Sequence, residues 1–124
     1  MKSTTRVPTE HADQVALVKW FALQYPKIGS RLVAVPNGGQ RNVIVAAKLK
    51  AEGVRAGFPD LMLLTPRQGF AGLILELKRL KTGRMNAGQM DWQQWLNEQG
   101  FMAVTCCGFE AARDAIKSYL GDAA

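Results

Sequence analysis

The sequence predicts an α/β protein, a four-stranded sheet covered by helices on both faces in the order αβαββαβα. Three observations carry that prediction. Apolar runs of strand length alternate with longer stretches that carry helix-capping signals. The two central runs, 60–64 and 71–78, are separated by Thr65-Pro66-Arg67-Gln68-Gly69, whose turn residues join them as a hairpin. Both faces of that hairpin are apolar, with Leu61, Leu63, Leu73, Leu75 and Leu77 on one and Met62, Leu64 and Ile74 on the other. Helices must then cover both sides, which makes a three-layer α/β/α sandwich.

Pro8-Thr9 introduces the first helix, with Thr9 placed to cap it and Glu10 and Asp13 in a first turn that favours negative charge. From residue 15 to 25 only Lys19 and Gln24 are strongly polar, so this helix is expected to bury more than one face. Residues 31–35 read as a strand ended by Pro36-Asn37-Gly38-Gly39. Asn42 caps a second helix over 43–52, stopped by Gly53. After the hairpin, Asn86 starts a helix that runs to about residue 99 and ends at Gly100. Its stripe of Trp92, Trp95 and Leu96 is assigned to the core. Residues 101–105 make the last strand and 109–120 the closing helix. The domain is expected over 9–120, with short tails at 1–8 and 121–124, and no repeat or linker interrupts it.

A chain of 124 residues suits one domain. No apolar run reaches the roughly 18 residues of a membrane span, and residues 1–6 lack the apolar stretch of a signal peptide, so a cytoplasmic, nucleoid-associated protein with no membrane partner is expected. The only cysteines, Cys106 and Cys107, are neighbours whose linkage would strain the ring, and they read as reduced and structural. The net charge of +6 is unevenly placed. Between residues 27 and 84 stand eleven basic residues against three acidic ones, a net +8, whereas from residue 85 onward the balance is −3. Two of those three central acids are Asp60 and Glu76. A basic surface around an acidic centre suits a protein that acts on a polyanion.

With the hairpin turn centred near Gln68, Leu64 pairs with Gly72 and Asp60 falls opposite Glu76, at the distance of a cross-strand pair. Side chains alternate, so Lys78 shares the face of Glu76. Two adjacent carboxylates stay ionised together only with a cation between them or share a proton. Mg²⁺ or Mn²⁺ answers that need, and phosphodiester hydrolysis is the chemistry implied, with Lys78 orienting water or offsetting charge on phosphorus. An ion pair between Glu76 and Lys78 on solvated strand ends is the bland alternative. Arg79, Lys81 and Arg84 follow the strand directly and join Asn37, Arg41 and Arg55 as candidate nucleic-acid contacts.

At these residues the sequence resembles a known group. Pro59-Asp60 followed by Glu76-Leu77-Lys78 is similar to the PD-(D/E)XK nuclease superfamily, and Gly53-Val54-Arg55-Ala56-Gly57-Phe58-Pro59-Asp60-Leu61 resembles its VRR-NUC branch. The likeness extends to a first helix starting with Glu10, the Pro36-Asn37-Gly38-Gly39 loop, the basic segment after Lys78, and Gln89 opening a helix that carries Trp92. It spans roughly residues 10–120. The resemblance implies a mixed sheet, metal ligands at Asp60, Glu76, Glu10 and the Leu77 main-chain carbonyl, and an added catalytic glutamine at Gln89. It also implies a small stand-alone, phage-type, Mg²⁺- or Mn²⁺-dependent DNA endonuclease, homodimeric, selective for branched DNA such as four-way junctions, and needing no small-molecule cofactor. Read from the residues alone, Glu10 equally suits a helix dipole, Gln89 equally suits a capping box with Asn86, and His11 reads as a surface residue. The competing functions are a non-catalytic basic nucleic-acid-binding module and a nuclease without branch preference.

Overall fold

A computed structural model of the chain describes residues 6–36 and 42–121. The elements are α1 (Glu10–Gln24), a 3₁₀ turn (Gly29–Arg31), β1 (Leu32–Ala34), α2 (Val43–Ala51), β2 (Leu61–Leu63), β3 (Leu73–Lys78), α3 (Ala87–Glu98), β4 (Met102–Cys107) and α4 (Phe109–Leu120). Their order is the one the sequence predicts. Three helix starts are set by side chains that satisfy otherwise unpaired N–H groups: Thr9 Oγ1 accepts from Ala12, Asn42 Oδ1 from Val45 and Asn86 Oδ1 from Gln89. Boundaries move where pairing dictates. The 3₁₀ turn takes Arg31 out of β1, and β4 runs on to Cys107 because β3 offers it partners as far as Lys78.

The sheet is ordered β1-β2-β3-β4. β1 and β3 both lie antiparallel to β2, while β4 lies parallel to β3 after the α3 crossover, so the sheet is mixed. Leu61 stands opposite Leu75, the register predicted for the hairpin. Its turn uses two left-handed residues, Gln68 (φ 52°) and Gly69 (φ 87°), the backbone that matches strand twist. Gln68 is held there by its side chain, whose Nε2 donates to the Ser118 and Tyr119 carbonyls (2.9 and 2.8 Å) at the end of α4.

Two apolar layers flank the sheet. On one side Leu61, Leu63, Leu73, Leu75 and Leu77 pack with Leu17 and Phe21 of α1 and Ala112, Ile116 and Tyr119 of α4. On the other a smaller cluster joins Ile74 and Ala103 to Leu96 of α3, edged by Phe58, Met62 and Trp92. The predicted alternation of the hairpin therefore holds, except at Leu64, which lies past the end of β2 and is 59 % exposed. Trp95 likewise departs from its assignment to the core. It is 49 % exposed and touches only the outer edge of the stripe, ring to ring with Trp92 at 5.7 Å. Nor does α1 bury more than one face within the chain: Asp13, Leu17 and Phe21 point inward at four-residue spacing, while Leu23 is 84 % exposed and Val15 and Val18 are open to solvent. No helix among the described residues is long and apolar enough to cross a membrane.

Candidate active site

The polar ends of β2 and β3 meet on the face of the smaller cluster. Asp60 stands immediately before β2 and continues its pairing with β1 through the Val35 N–H, while toward β3 the ladder slips by one residue, its backbone N–H donating to the Leu75 carbonyl at 3.0 Å. Its carboxylate reaches across, where Oδ2 accepts the Leu77 backbone N–H at 2.7 Å. A strand residue's N–H and C=O point to the same side, so the Leu77 carbonyl also faces the Asp60 edge. From β3, Glu76 and Lys78 project together with Lys78 Nζ 3.4 Å from Glu76 Oε2, and both are buried. The same Glu76 oxygen accepts a hydrogen bond from Gln89 Nε2 of α3 at 3.2 Å.

Gln89 both caps its helix and faces the carboxylates. Its Oε1 accepts the Asn86 backbone N–H at 3.0 Å, closing a capping box, while its Nε2 turns to Glu76. One side chain thus ties the start of α3 to the carboxylate pair.

Two glycines make this convergence sterically possible. Gly57 has φ +86°, and a Cβ on it would stand 2.9 Å from the Gly88 carbonyl carbon, so the loop leading into Asp60 lies directly on the first turn of α3. Gly83 folds the basic segment back onto the end of β3, where a Cβ would come within 2.6 Å of the Arg79 nitrogen and 2.8 Å of Lys78 Cβ. Neither was singled out from sequence, although Gly57 belongs to the quoted motif; a contact between backbones leaves no signature in periodicity.

The electrostatics of the pair are unbalanced. Glu76 is pushed up from 4.5 to about 7, first by burial and then by the neighbouring Asp60 charge, against the pull of Lys78. The ammonium at 3.4 Å alone would lower it; desolvation and the second carboxylate outweigh that pull. At neutral pH the site therefore holds a carboxyl close to half protonated, the condition that a divalent cation relieves. Two carboxylates and a main-chain carbonyl that faces the Asp60 edge form an all-oxygen donor set that fits Mg²⁺ or Mn²⁺.

The other predicted residues fall in different places. Glu10 is exposed in the first turn of α1. Among the described residues no three acidic, histidine or cysteine side chains stand together as a metal-holding group, so Glu10 is not brought to Asp60 and Glu76 here. It is nevertheless close along the chain to the site's margin, because the Arg79 guanidinium donates to the Pro8 and Val7 carbonyls (3.2 and 2.7 Å) and pins the start of α1 beside the end of β3. Arg79 thus has a structural occupation. Arg55, Lys81 and Arg84 are exposed, Lys81 in a left-handed turn at φ 69°. Asn37 and Arg41 lie outside the described residues. His11 is exposed, Cys106 is a buried free thiol whose pKa burial pushes up to about 11, and Cys107 is exposed and free. Asp13, expected only as a first-turn acid of the first helix, is buried on the inner stripe of α1, and its Oδ2 has no hydrogen-bond partner among the described residues.

Comparison with known proteins places this geometry. A solved structure described as a VRR_NUC domain protein superposes with a TM-score of 0.83 at 26 % identity, covering 94 % of this chain and 92 % of that one. No protein of curated function matches significantly. The family profile described as VRR-NUC domain matches residues 9–110, which takes in α1, the whole sheet and α3. The chain belongs to the VRR-NUC domain family, a nuclease-type, nucleic-acid-binding domain.

Proposed function

We propose that this protein is a Mg²⁺- or Mn²⁺-dependent DNA endonuclease that hydrolyses phosphodiester bonds, acts as a homodimer and prefers branched DNA such as four-way junctions. The single observation that carries the hydrolytic reading is the cluster of half-buried Asp60 with buried Glu76 and Lys78, in which one carboxyl is pushed up to about 7 beside a second carboxylate and an ammonium. Asp60, Glu76 and the Leu77 carbonyl would hold the ion. When bound, it supplies Lewis-acid polarisation of the phosphate and acidification of water.

The side chains divide the remaining work. The Asp60 carboxylate is fixed by the Leu77 N–H, which leaves its other oxygen for the ion. Gln89 fixes the rotamer of Glu76 by holding Oε2, the kind of support that keeps a ligand in place without touching substrate. Lys78 is placed to hydrogen-bond the attacking water or to offset charge that builds on the phosphate. Lys81, Arg84 and Arg55 supply exposed positive charge for the DNA backbone, joined by Asn37 and Arg41 from the sequence. Glu10 would enter as a further ligand from the start of α1, whose position Arg79 fixes.

Dimerisation draws support from apolar surface that nothing among the described residues covers. Leu23 of α1 and Val43 and Ile44 of α2 are 84, 84 and 80 % exposed. A two-fold interface would bury such a surface against its own copy and present two sites to the two strands of a junction. The test is cleavage of end-labelled duplex, flap, single-stranded and four-way DNA with Mn²⁺ and with excess chelator. Paired incisions in the junction, abolished by chelator, are expected. Undiminished cutting in chelator would overturn the metal mechanism, equal cutting of linear duplex would overturn the branch preference, and DNA binding without cutting would leave a binding module.

A further inference from the structure

Beside the carboxylates lies a cleft of about 560 Å³ that the hydrolytic chemistry does not use. Val35, Leu49, Met62, Phe58 and Trp92 supply its apolar walls, and Arg55 and Glu52 line it with opposite charges. We propose that this cleft receives an unpaired nucleobase of the DNA strand being cut, an inference that rests on the nuclease reading above.

Three of its walls are continuous with the site. Phe58 is two residues before Asp60, Met62 is two residues after it on the same sheet face, and the Val35 N–H donates to the Asp60 carbonyl at 2.9 Å. Trp92 follows Gln89 by three residues, so both occupy one side of α3 while Gln89 holds Glu76. Two residues of extended chain span at most about 7 Å. That is no more than the reach of a nucleotide, so a base in the cleft belongs to a nucleotide next to, or close to, the phosphate at Asp60.

The chemistry of the walls selects a planar, weakly polar guest. Phe58 and Trp92 meet edge to face at 5.0 Å and 76°, a packed pair that presents ring surface to the cleft they line. Volume and composition are those of a small-molecule site, apolar with few polar groups. The Arg55 guanidinium and the Glu52 carboxylate can meet the acceptors and exocyclic amines of a base edge. Arg55 is exposed and can hold a backbone phosphate beside the cleft, whereas the apolar walls offer a phosphate no compensation for lost hydration and suit a base. The net +8 between residues 27 and 84 attracts the strand's backbone whatever its sequence, and Arg55 carries part of that charge to the cleft.

The test compares an oligothymidylate with an abasic oligonucleotide of the same length and charge, by anisotropy in calcium, for the wild type, Trp92→Leu and Leu49→Trp. Leu49 sits at the half-buried wall on α2, so its replacement fills the cleft while Trp92 and the core stay in place. The wild type is expected to bind the base-bearing strand about tenfold or more tighter than the abasic one, the effect of stacking a base. Both variants are expected to lose that difference while binding the abasic strand as the wild type does. Equal binding of the two strands by the wild type, measurable binding of neither, or full discrimination by folded Leu49→Trp would overturn the proposal. Cleavage in Mn²⁺ is read on the same preparations. Equal binding of the two strands by a wild type that still cleaves overturns the cleft alone, whereas discrimination without any cleavage by the wild type overturns the nuclease reading and leaves the cleft standing.

Discussion

Replacing Glu76 by Gln should stabilise the metal-free protein. Glu76 is 4 % exposed, and its carboxyl is pushed from 4.5 to about 7 by burial and by Asp60. Between those values the folded chain holds a proton that the unfolded chain has released, so the wild type loses stability as pH rises from about 4.5 through 7. The full loss above 7 is about 2.5 units at 1.36 kcal/mol each, or about 3 kcal/mol. Gln mimics the protonated form in size and in its oxygen acceptor and does not titrate. In excess chelator, Glu76→Gln should therefore unfold about 3 kcal/mol higher than wild type at pH 8, a shift of roughly 10 °C for a chain of this size, and less than about 1 kcal/mol higher at pH 5. Urea unfolding of both proteins at the two pH values measures this, with the other carboxylates cancelling in the difference. A variant less stable than wild type at pH 8 would refute the reasoning, because it would make Glu76–Lys78 a stabilising ion pair and nothing more.

Four further outcomes follow from the same geometry. Asp60→Ala and Lys78→Ala should each lower cleavage by about a hundredfold or more with DNA affinity nearly unchanged, read by single-turnover assay and anisotropy; retention of more than about a tenth of activity in Asp60→Ala would sink its assignment. Gln89→Leu should weaken metal-dependent turnover by about ten- to a hundredfold at limiting Mn²⁺ and recover at saturating Mn²⁺, since Gln89 holds a ligand and not the substrate. Gly57→Ala should cost at least about 1–2 kcal/mol from its positive φ and more from the Gly88 contact, while Gly53→Ala, at φ +103° with open space around it, pays only the first part; equal losses in denaturant titration would contradict the close approach. Glu10→Gln should impair cleavage at limiting metal if Glu10 is a ligand, whereas a helix-dipole role changes only stability, by about 0.3–1 kcal/mol.

Most of the fold was legible because local chemistry and packing agree. Thr9, Asn42 and Asn86 announce three helices by the bonds they make, and the alternating leucines of 61–63 and 73–77 fix both the register and the buried face. That register, with Leu61 opposite Leu75, brings Asp60 to the Glu76 end of β3, where the two carboxylates interact although the backbone ladder slips by one residue at Asp60. What escaped depends on contacts between distant segments. Leu64 and Trp95 continue apolar patterns, but among the described residues no element covers them fully, so periodicity promised burial that the layers do not deliver. Gln89 was offered two roles as alternatives because spacing cannot show that its two ends point to different partners. The glycine contacts at 57 and 83, the fastening of α1 by Arg79 and the inward turn of Asp13 come from tertiary placement alone.

The central claim is that Asp60 and Glu76 hold a divalent cation in place of a proton. Calorimetric titration of Mn²⁺ into the wild type at pH 6, repeated in buffers of different ionisation enthalpy, tests it most directly. With Glu76 at about 7, nearly one proton should be released for each ion bound at pH 6, and almost none at pH 8. Glu76→Gln should bind far more weakly and release none. Binding without proton release at pH 6, or Mn²⁺ affinity undiminished in Glu76→Gln, would contradict the account.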